Sequence, residues 1–265
     1  MANLRTNYIF LRKMIGKNTI KWVHSLEMKK NRRNEGLFVA EGPKVVGDLM
    51  SRYRPHQIFA TNEWLSSASH SILPAEVTPM EVSDDELRRL SFLQHPQQVL
   101  AVFRLPDEAN LEKTVPLDKL TLMLDGVQDP GNLGTIIRIA DWFGIDAVIC
   151  SPETADAYNP KVVQATMGSL GRVNVIYAPL RPLLTSLPDD MPIYGTLLDG
   201  KDIYKSELSS NGIIIMGNEG NGISADIRQL VTRPLLIPRF RQGESAESLN
   251  VAVATAITCS EFCRR

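Results

Sequence analysis

Short apolar runs and 3.6-period stripes alternate along this chain, separated by turn residues. Ile20, Trp22, Val23 and Leu26 fall on one broad side of a helix predicted over 18–28, and a basic turn at 29–34 follows. Residues 36–42 form a strand closing on Glu41-Gly42. Pro43 then opens a helix through Met50, because the N–H that proline lacks is unpaired in a first turn anyway. A strand over 57–61, a weakly extended stretch at 77–82, a helix over 84–93 capped by Ser83 and a strand over 98–103 complete the first half. Strands alternating with helices predict a small α/β domain with a largely parallel sheet. Its end is marked by Pro106-Asp-Glu-Ala-Asn-Leu-Glu-Lys, polar and without periodicity. The expected organisation is therefore a domain at 1–106, a linker at 107–118 and a second domain at 119–265.

The second half repeats the alternation more strongly. Strands are predicted at 120–125, 147–150, 173–177, 193–198, 213–216 and 235–237, with helices at 135–143, 161–168, 182–187, 224–229 and 251–262. Continuous Ile, Leu and Val runs mark strands buried on both faces. Ligands of such sheets sit beyond the carboxyl ends of the strands, where the loops gather.

Composition bounds the class. Apolar content of 43% and charged content of 22% are ordinary for a globular protein. No run of 18 apolar residues occurs, and Arg5, Arg12 and Lys13 are not separated by a full apolar stretch, so neither a membrane span nor a signal peptide is expected. Cys150, Cys259 and Cys263 form no disulfide framework and have no paired metal-ligand spacing, which points to the cytosol. Cys259 and Cys263, one turn apart, suit a buried or interface face.

The net charge of −1 conceals an asymmetry. Residues 1–106 hold 15 Lys+Arg and 10 Asp+Glu, whereas residues 107–265 hold 14 and 20. The densest basic cluster is Lys29, Lys30, Arg32 and Arg33, with Trp22 and His24 nearby. Such a run can be a solvated helix face. A bias sustained over the first 54 residues, 12 basic against 4 acidic, favours a polyanion partner.

Three loops of the second half carry candidate chemistry. The first is Asp129-Pro-Gly-Asn-Leu-Gly followed by Arg138, whose guanidinium sits in the mostly apolar Ile136-Ile-Arg-Ile-Ala-Asp-Trp-Phe. There it must be paired, for instance with Asp141, or face a site. Asn132 is either a site residue or a turn or cap residue. The second loop, Gly217-Asn-Glu-Gly-Asn-Gly, has an acidic centre that would repel a pyrophosphate, and no P-loop pattern occurs. The third runs from Pro238 past Glu244 and Glu247 to Ser248-Leu-Asn250 before a helix of small residues. One of Ser248 and Asn250 is explained as a helix cap, but not both. All four histidines (His24, His56, His70, His95) lie in the first half, so imidazole base chemistry is not expected among these loops. The available polar set is Asn132, Arg138, Glu219, Ser248 and Asn250.

Asn132-Leu-Gly…Arg138, Gly217-Asn-Glu-Gly and Ile237-Pro…Ser248-Leu-Asn-Val resemble, in order and spacing, the three motifs of the SpoU/TrmH branch of the SPOUT RNA methyltransferases. Phe38-Val-Ala-Glu-Gly-Pro-Lys-Val-Val also resembles the substrate-binding domain often attached to that branch, whose fold is like certain ribosomal proteins. The resemblance implies a ribose 2′-O-methyltransferase using S-adenosylmethionine, a homodimer, and a SPOUT-type α/β domain with a deep C-terminal trefoil knot. It implies that Gly217, Ile237 and Leu249 meet the cofactor mainly through backbone, with Thr196 and Leu197 lining the same pocket. Asn132, Glu219, Ser248 and Asn250 would arrange the active site. A guanidinium holds its proton too tightly to serve as a base, so Arg138 is expected to clamp the phosphate beside the target ribose. No metal is expected. Lys29, Lys30, Arg32 and Arg33 are the expected RNA contacts, with ribosomal RNA first and transfer RNA second as substrate. The rival readings are a non-catalytic RNA-binding or ribosome-assembly protein and a base methyltransferase of the wider class. The connection at 239–247 is longer and more charged than is usual in the branch.

Overall fold

The computed structural model describes residues 14–67, 73, 77–107, 115–241 and 248–264. His70, Glu244, Glu247 and most of the predicted linker lie outside the described residues. The chain divides into two compact units. One comprises Met1–Pro106 with Tyr158–Pro160, the other Asp107–Ala157 with Lys161–Arg265.

The first unit runs α1 (Lys17–Ser25), α2 (Lys29–Glu35), β1 (Leu37–Glu41), α3 (Pro43–Met50), β2 (Pro55–Ala60), α4 (Asn62–Ser66), β3 (Met80–Glu81), α5 (Asp84–Leu90) and β4 (Val99–Arg104). Its sheet is ordered β1-β4-β2-β3. β4 runs antiparallel to both β1 and β2, and only the short β2–β3 pairing is parallel. The expectation of a largely parallel sheet is thus wrong for this unit. Alternating strands and helices limit connection lengths, but they do not decide the direction of a last strand that inserts between two earlier ones.

The basic stretch predicted as a turn is the helix α2, ended by Gly36 at φ 66°. Arg32 is the reason the α1–α2 junction closes. It is 1% exposed, and its guanidinium donates to the carbonyls of Leu26 at 2.8 Å and Glu27 at 2.6 Å. Those carbonyls would otherwise be left without partners where one helix ends and the next begins. Arg32 is therefore a structural residue and is withdrawn as an RNA contact. Lys30 and Arg33 are exposed and Lys29 half-buried. At the end of β1 the buried Glu41 carboxylate accepts from the Ser91 hydroxyl and from the Phe92 N–H at 2.9 Å. Burial pushes its pKa up and these bonds pull it back, leaving it raised. The carboxyl group ties β1 to the segment after α5.

The second unit runs β5 (Leu120–Asp125), α6 (Pro130–Trp142), β6 (Ala147–Cys150), α7 (Pro160–Ala165), β7 (Asn174–Tyr177), α8 (Leu180–Thr185), β8 (Ile193–Asp202), β9 (Gly212–Gly217), α9 (Ala225–Arg228), β10 (Arg233–Leu236) and α10 (Val251–Cys263). Its sheet, β10-β8-β9-β5-β6-β7, is parallel at every pairing. The core of Met123, Ile149, Ile213 and Ile215 is buried, as the continuous apolar runs require.

Two departures position the loops. α6 begins at Pro130, five residues before its predicted start at 135, with Asp129 Oδ1 accepting from Asn132 N at 2.7 Å as its cap. Packing requires the glycine at 134, since a Cβ there would stand 2.4 Å from Ala165 Cβ. In β8 the pairing with β10 jumps from Gly195 to Lys201, which leaves Thr196–Gly200 outside that ladder.

Candidate active site

β5 and β9 are neighbours in the sheet, so the loops leaving their carboxyl ends begin side by side. After β9 the chain turns sharply on Asn218. Its Oδ1 accepts from Gly220 N at 2.9 Å and Asn221 N at 3.0 Å, while its Nδ2 donates to Gly126 O at 2.7 Å. Asn218 and Gly222 exchange backbone bonds at 2.9 and 3.0 Å, which folds Gly222 back over Gly217. A Cβ on Gly217 would stand 2.2 Å from Gly222 C and 2.3 Å from Ile223 N. The turn itself therefore demands glycine at 217. Asp125 supports the same turn from β5 by accepting from Ser224 N at 2.7 Å.

The turn aims Glu219 at the loop that opens α6. Its carboxylate accepts from the backbone N–H groups of Gln128 and Asp129, both at 3.2 Å, and from Asn132 Nδ2 at 3.0 Å. Asn132 Oδ1 in turn accepts from Asn250 Nδ2 at 2.9 Å. Asn250 Oδ1 caps α10, accepting from Ala252 N at 2.9 Å and Val253 N at 3.2 Å. The direction of this chain of bonds is fixed at both ends. Backbone N–H groups can only donate, so Asn250 must turn its oxygen to α10 and its amide to Asn132. Asn132 must then present its own amide to a carboxylate, which can only accept. One chain of bonds thus links the three loops singled out by sequence.

Partial burial raises the Glu219 pKa, but the hydrogen bonds from Asn132 and the loop backbone outweigh it, and the net shift is downward. A carboxyl held ionised in this way is suited to positioning a loop and poorly suited to collecting a proton. The pH consequence has a definite sign. Because its folded pKa is depressed, Glu219 contributes stability above its unfolded value and loses it as pH falls through the folded value. Glu219→Gln should lower stability at neutral pH and flatten the loss on acidification from about pH 5 to pH 3, as denaturation midpoints across that range would show. Parallel curves for the two proteins would refute the assignment.

The other predicted residues take definite places. Asn250, not Ser248, is the α10 cap, and Asp129, not Asn132, caps α6. Ser248 is exposed beside it, and Leu249 is 51% exposed. Thr196 donates to the Met216 sulfur in β9 at 3.7 Å, and Leu197 packs against the core. Ile237 is half-buried just beyond β10. Arg138 is exposed on α6, and among the described residues no hydrogen bond or ion pair reaches it. Its suggested partner Asp141 instead accepts from Ser169 at 2.7 Å and from the Arg172 guanidinium at 2.8 Å. The structure therefore bonds Asn132, Glu219 and Asn250 together, and no described residue engages the Arg138 or Ser248 side chain. The sequence does not single out Asp129 and Asn218 as site residues, although Asp-Pro before a helix and Asn-Glu-Gly after a strand are cap and turn signals. Among the described residues no group of three or more His, Cys, Asp or Glu side chains could hold a metal.

Residues 119–260 match the SpoU rRNA Methylase family. The chain belongs to that family. In this SpoU-family chain, residues 17–101 match the MRM3-like substrate binding domain. It is 34% identical over 235 residues to the 23S rRNA (guanosine(2553)-2'-O)-methyltransferase RlmP of Bacillus subtilis, an alignment covering 88% of this chain and 90% of the relative. A TrmH-family protein from Porphyromonas gingivalis shares 41% identity at a TM-score of 0.84, over 95% of this chain and 99% of that one. An AdoMet-bound rRNA methyltransferase from Sinorhizobium meliloti shares 27% identity at a TM-score of 0.81, over 94% and 95%. The α/β architecture expected from the motifs is thus that of the SpoU/TrmH structures.

Proposed function

We propose that this chain transfers a methyl group from S-adenosylmethionine to a ribose 2′-hydroxyl of ribosomal RNA. The observation that carries the reading is the Glu219–Asn132–Asn250 chain of bonds, which holds the three motif loops of a SpoU-family domain at the carboxyl ends of its strands. The rRNA substrate follows the names of full-length relatives such as the Bacillus subtilis enzyme.

The residues present fit the cofactor. Thr196–Gly200 leave the β10 ladder, so their backbone polar groups are not spent on it, and Leu197, Ile237 and Leu249 offer apolar surface to an adenine and ribose. Thr196, Leu197, Gly217, Ile237 and Leu249 would hold it. When bound, S-adenosylmethionine supplies an electrophilic methyl group on a sulfonium. Transfer of that kind needs in-line placement more than acid–base help, which accords with a set of residues without imidazole. Asn132, Glu219 and Asn250 keep the loops in place, Ser248 flanks them, and the exposed guanidinium of Arg138 clamps the phosphate beside the target ribose. The hydroxyl proton leaves to that phosphate or to water.

The reading includes a homodimer and a C-terminal trefoil knot. Trp142 on α6 is 84% exposed and Val253 on α10 50% exposed, apolar surface that a second copy would cover. The knot draws support from family membership and from the tight chain passage at Gly200, where a Cβ would stand 2.5 Å from Leu235 C. In the described residues no helix is long and apolar enough to cross a membrane, and we place the protein in the cytosol. Lys29, Lys30 and Arg33 serve as RNA contacts of the first unit.

The test is to incubate the protein with S-adenosylmethionine and ribosomal RNA in EDTA, digest the RNA to nucleosides and weigh them. 2′-O-methyl nucleosides are expected. Base-methylated nucleosides would indicate the wider class, and no product, with no calorimetric heat on adding the cofactor, would make the chain a non-catalytic RNA-binding protein.

A further inference from the structure

We infer that the Trp22–His56–Arg104 surface of the first unit is a second RNA contact, shaped for an unpaired nucleotide, an inference that rests on the reading of the chain as an RNA methyltransferase. Four elements meet there. Trp22 on α1 is half-buried against the core of the unit, and its indole N–H donates to the Glu35 carboxylate at the end of α2 at 2.5 Å. The exposed His56 on β2 lies with its ring centroid 5.9 Å from the indole, tilted by 60°. Arg104, at the end of β4, is 3.3 Å from His56 Nδ1 through its Nη2. Arg104 N also bonds Arg54 O at 3.0 Å, which brings a second exposed arginine alongside.

The Arg104 contact assigns the histidine. A guanidinium can only donate, so Nδ1 accepts and the neutral ring carries its hydrogen on Nε2. That Nε2–H has no partner among the described residues. The surface therefore combines two aromatic rings, a ring N–H that no described residue engages, and two arginines.

Charge selects the occupant. Of the four acidic residues among the first 54, Glu27 is exposed, Glu41 is buried, Asp48 pairs with Lys44 at 2.8 Å and Glu35 is engaged by the indole. The twelve basic residues of that stretch still outnumber them threefold, although Arg32 is buried and Lys44 is paired. Rings beside arginines suit a base stacked on the ring and its phosphate held by a guanidinium, the arrangement single strands permit. Bases inside an A-form duplex are already stacked and cannot reach a ring. None of these three residues belongs to the α2 basic cluster, so this contact adds to that one.

The experiment measures binding of the full chain to two RNAs of equal length, a hairpin with an unpaired loop and a continuous duplex. His56→Ala should weaken loop-RNA binding roughly 5- to 100-fold and leave duplex binding unchanged. Arg104→Gln should lower the log–log salt slope on loop RNA by about 0.7. Both residues are exposed, so these variants should fold normally, and their S-adenosylmethionine affinity should match wild type. Variants that bind loop RNA with wild-type affinity and slope overturn this surface while the methyltransferase reading stands. An equal loss on both RNAs overturns the stacking role and leaves a general phosphate contact. A wild-type protein that takes up the cofactor but binds neither RNA, while binding an acidic protein partner, overturns the RNA reading itself and this surface with it.

Discussion

Arg138→Ala should reduce methyl transfer by about 10²- to 10³-fold while cofactor affinity and folding stability stay at wild-type values. The side chain is exposed and engages no described group, so its loss strands no buried partner and opens no cavity. Surface changes of that kind shift stability by no more than about 0.5 kcal/mol. RNA affinity should fall only modestly, because one phosphate contact is lost among many. Arg138→Lys should recover part of the activity, since it keeps the charge but not the planar fork that grips two phosphate oxygens. Single-turnover kinetics with saturating RNA separate binding from transfer. Full turnover in the alanine variant would remove Arg138 from the active site. A loss tracking a fall in melting temperature would make it a structural residue.

Gly217→Ala should be the most damaging small change in the second unit. The added carbon would stand 2.2 to 2.6 Å from backbone atoms of Gly222 and Ile223, which cannot rotate away as a side chain can. Overpacking commonly costs 1–3 kcal/mol and sometimes more, and we expect about 3 kcal/mol here. The turn can relieve the clash by opening, but that breaks the Asn218–Gly222 pair and swings Glu219 away from Asn132. Activity should therefore fall further than stability alone explains, even where the protein remains folded. Gly220→Ala is the matched control, because its Cβ would meet nothing nearer than Asn218 Oδ1 at 3.6 Å. Denaturant midpoints and turnover for both variants decide the matter, and a Gly217→Ala protein indistinguishable from the control would defeat the argument.

The parallel sheet of the second unit was legible because its strands are apolar without interruption, a pattern that only burial on both faces explains. The same reasoning misjudged the first unit. Its β4 is equally apolar, yet it enters between β1 and β2 and runs against both. Strand direction there depends on which gap the last strand fills, and no local pattern records that. Arg32 shows a second limit. Its neighbours Lys30 and Arg33 are exposed while it is buried, and the difference lies in two carbonyls at a helix junction that the sequence does not announce. The site loops could be singled out from their residues and from the family resemblance. The pairing of Asn132 with Asn250, 118 positions apart, could not, because an asparagine beside a helix start is equally plausible as a cap.

The strand order has a consequence for how the protein is made. β8 has only two partners, β9 and β10, and both are encoded after it. β9 must itself find β5, whose residues 120–125 pair with residues 212–217. Pairings between such distant segments form slowly, because a long loop must close before any contact rewards it. As the chain leaves the ribosome, β5, β6 and β7 can join as they appear, while β8 emerges without a neighbour. β8 and β10 thus pair only once residue 236 has been made, so the cofactor pocket proposed above, which takes Thr196 and Leu197 from β8 and Ile237 from beyond β10, cannot form on a shorter chain.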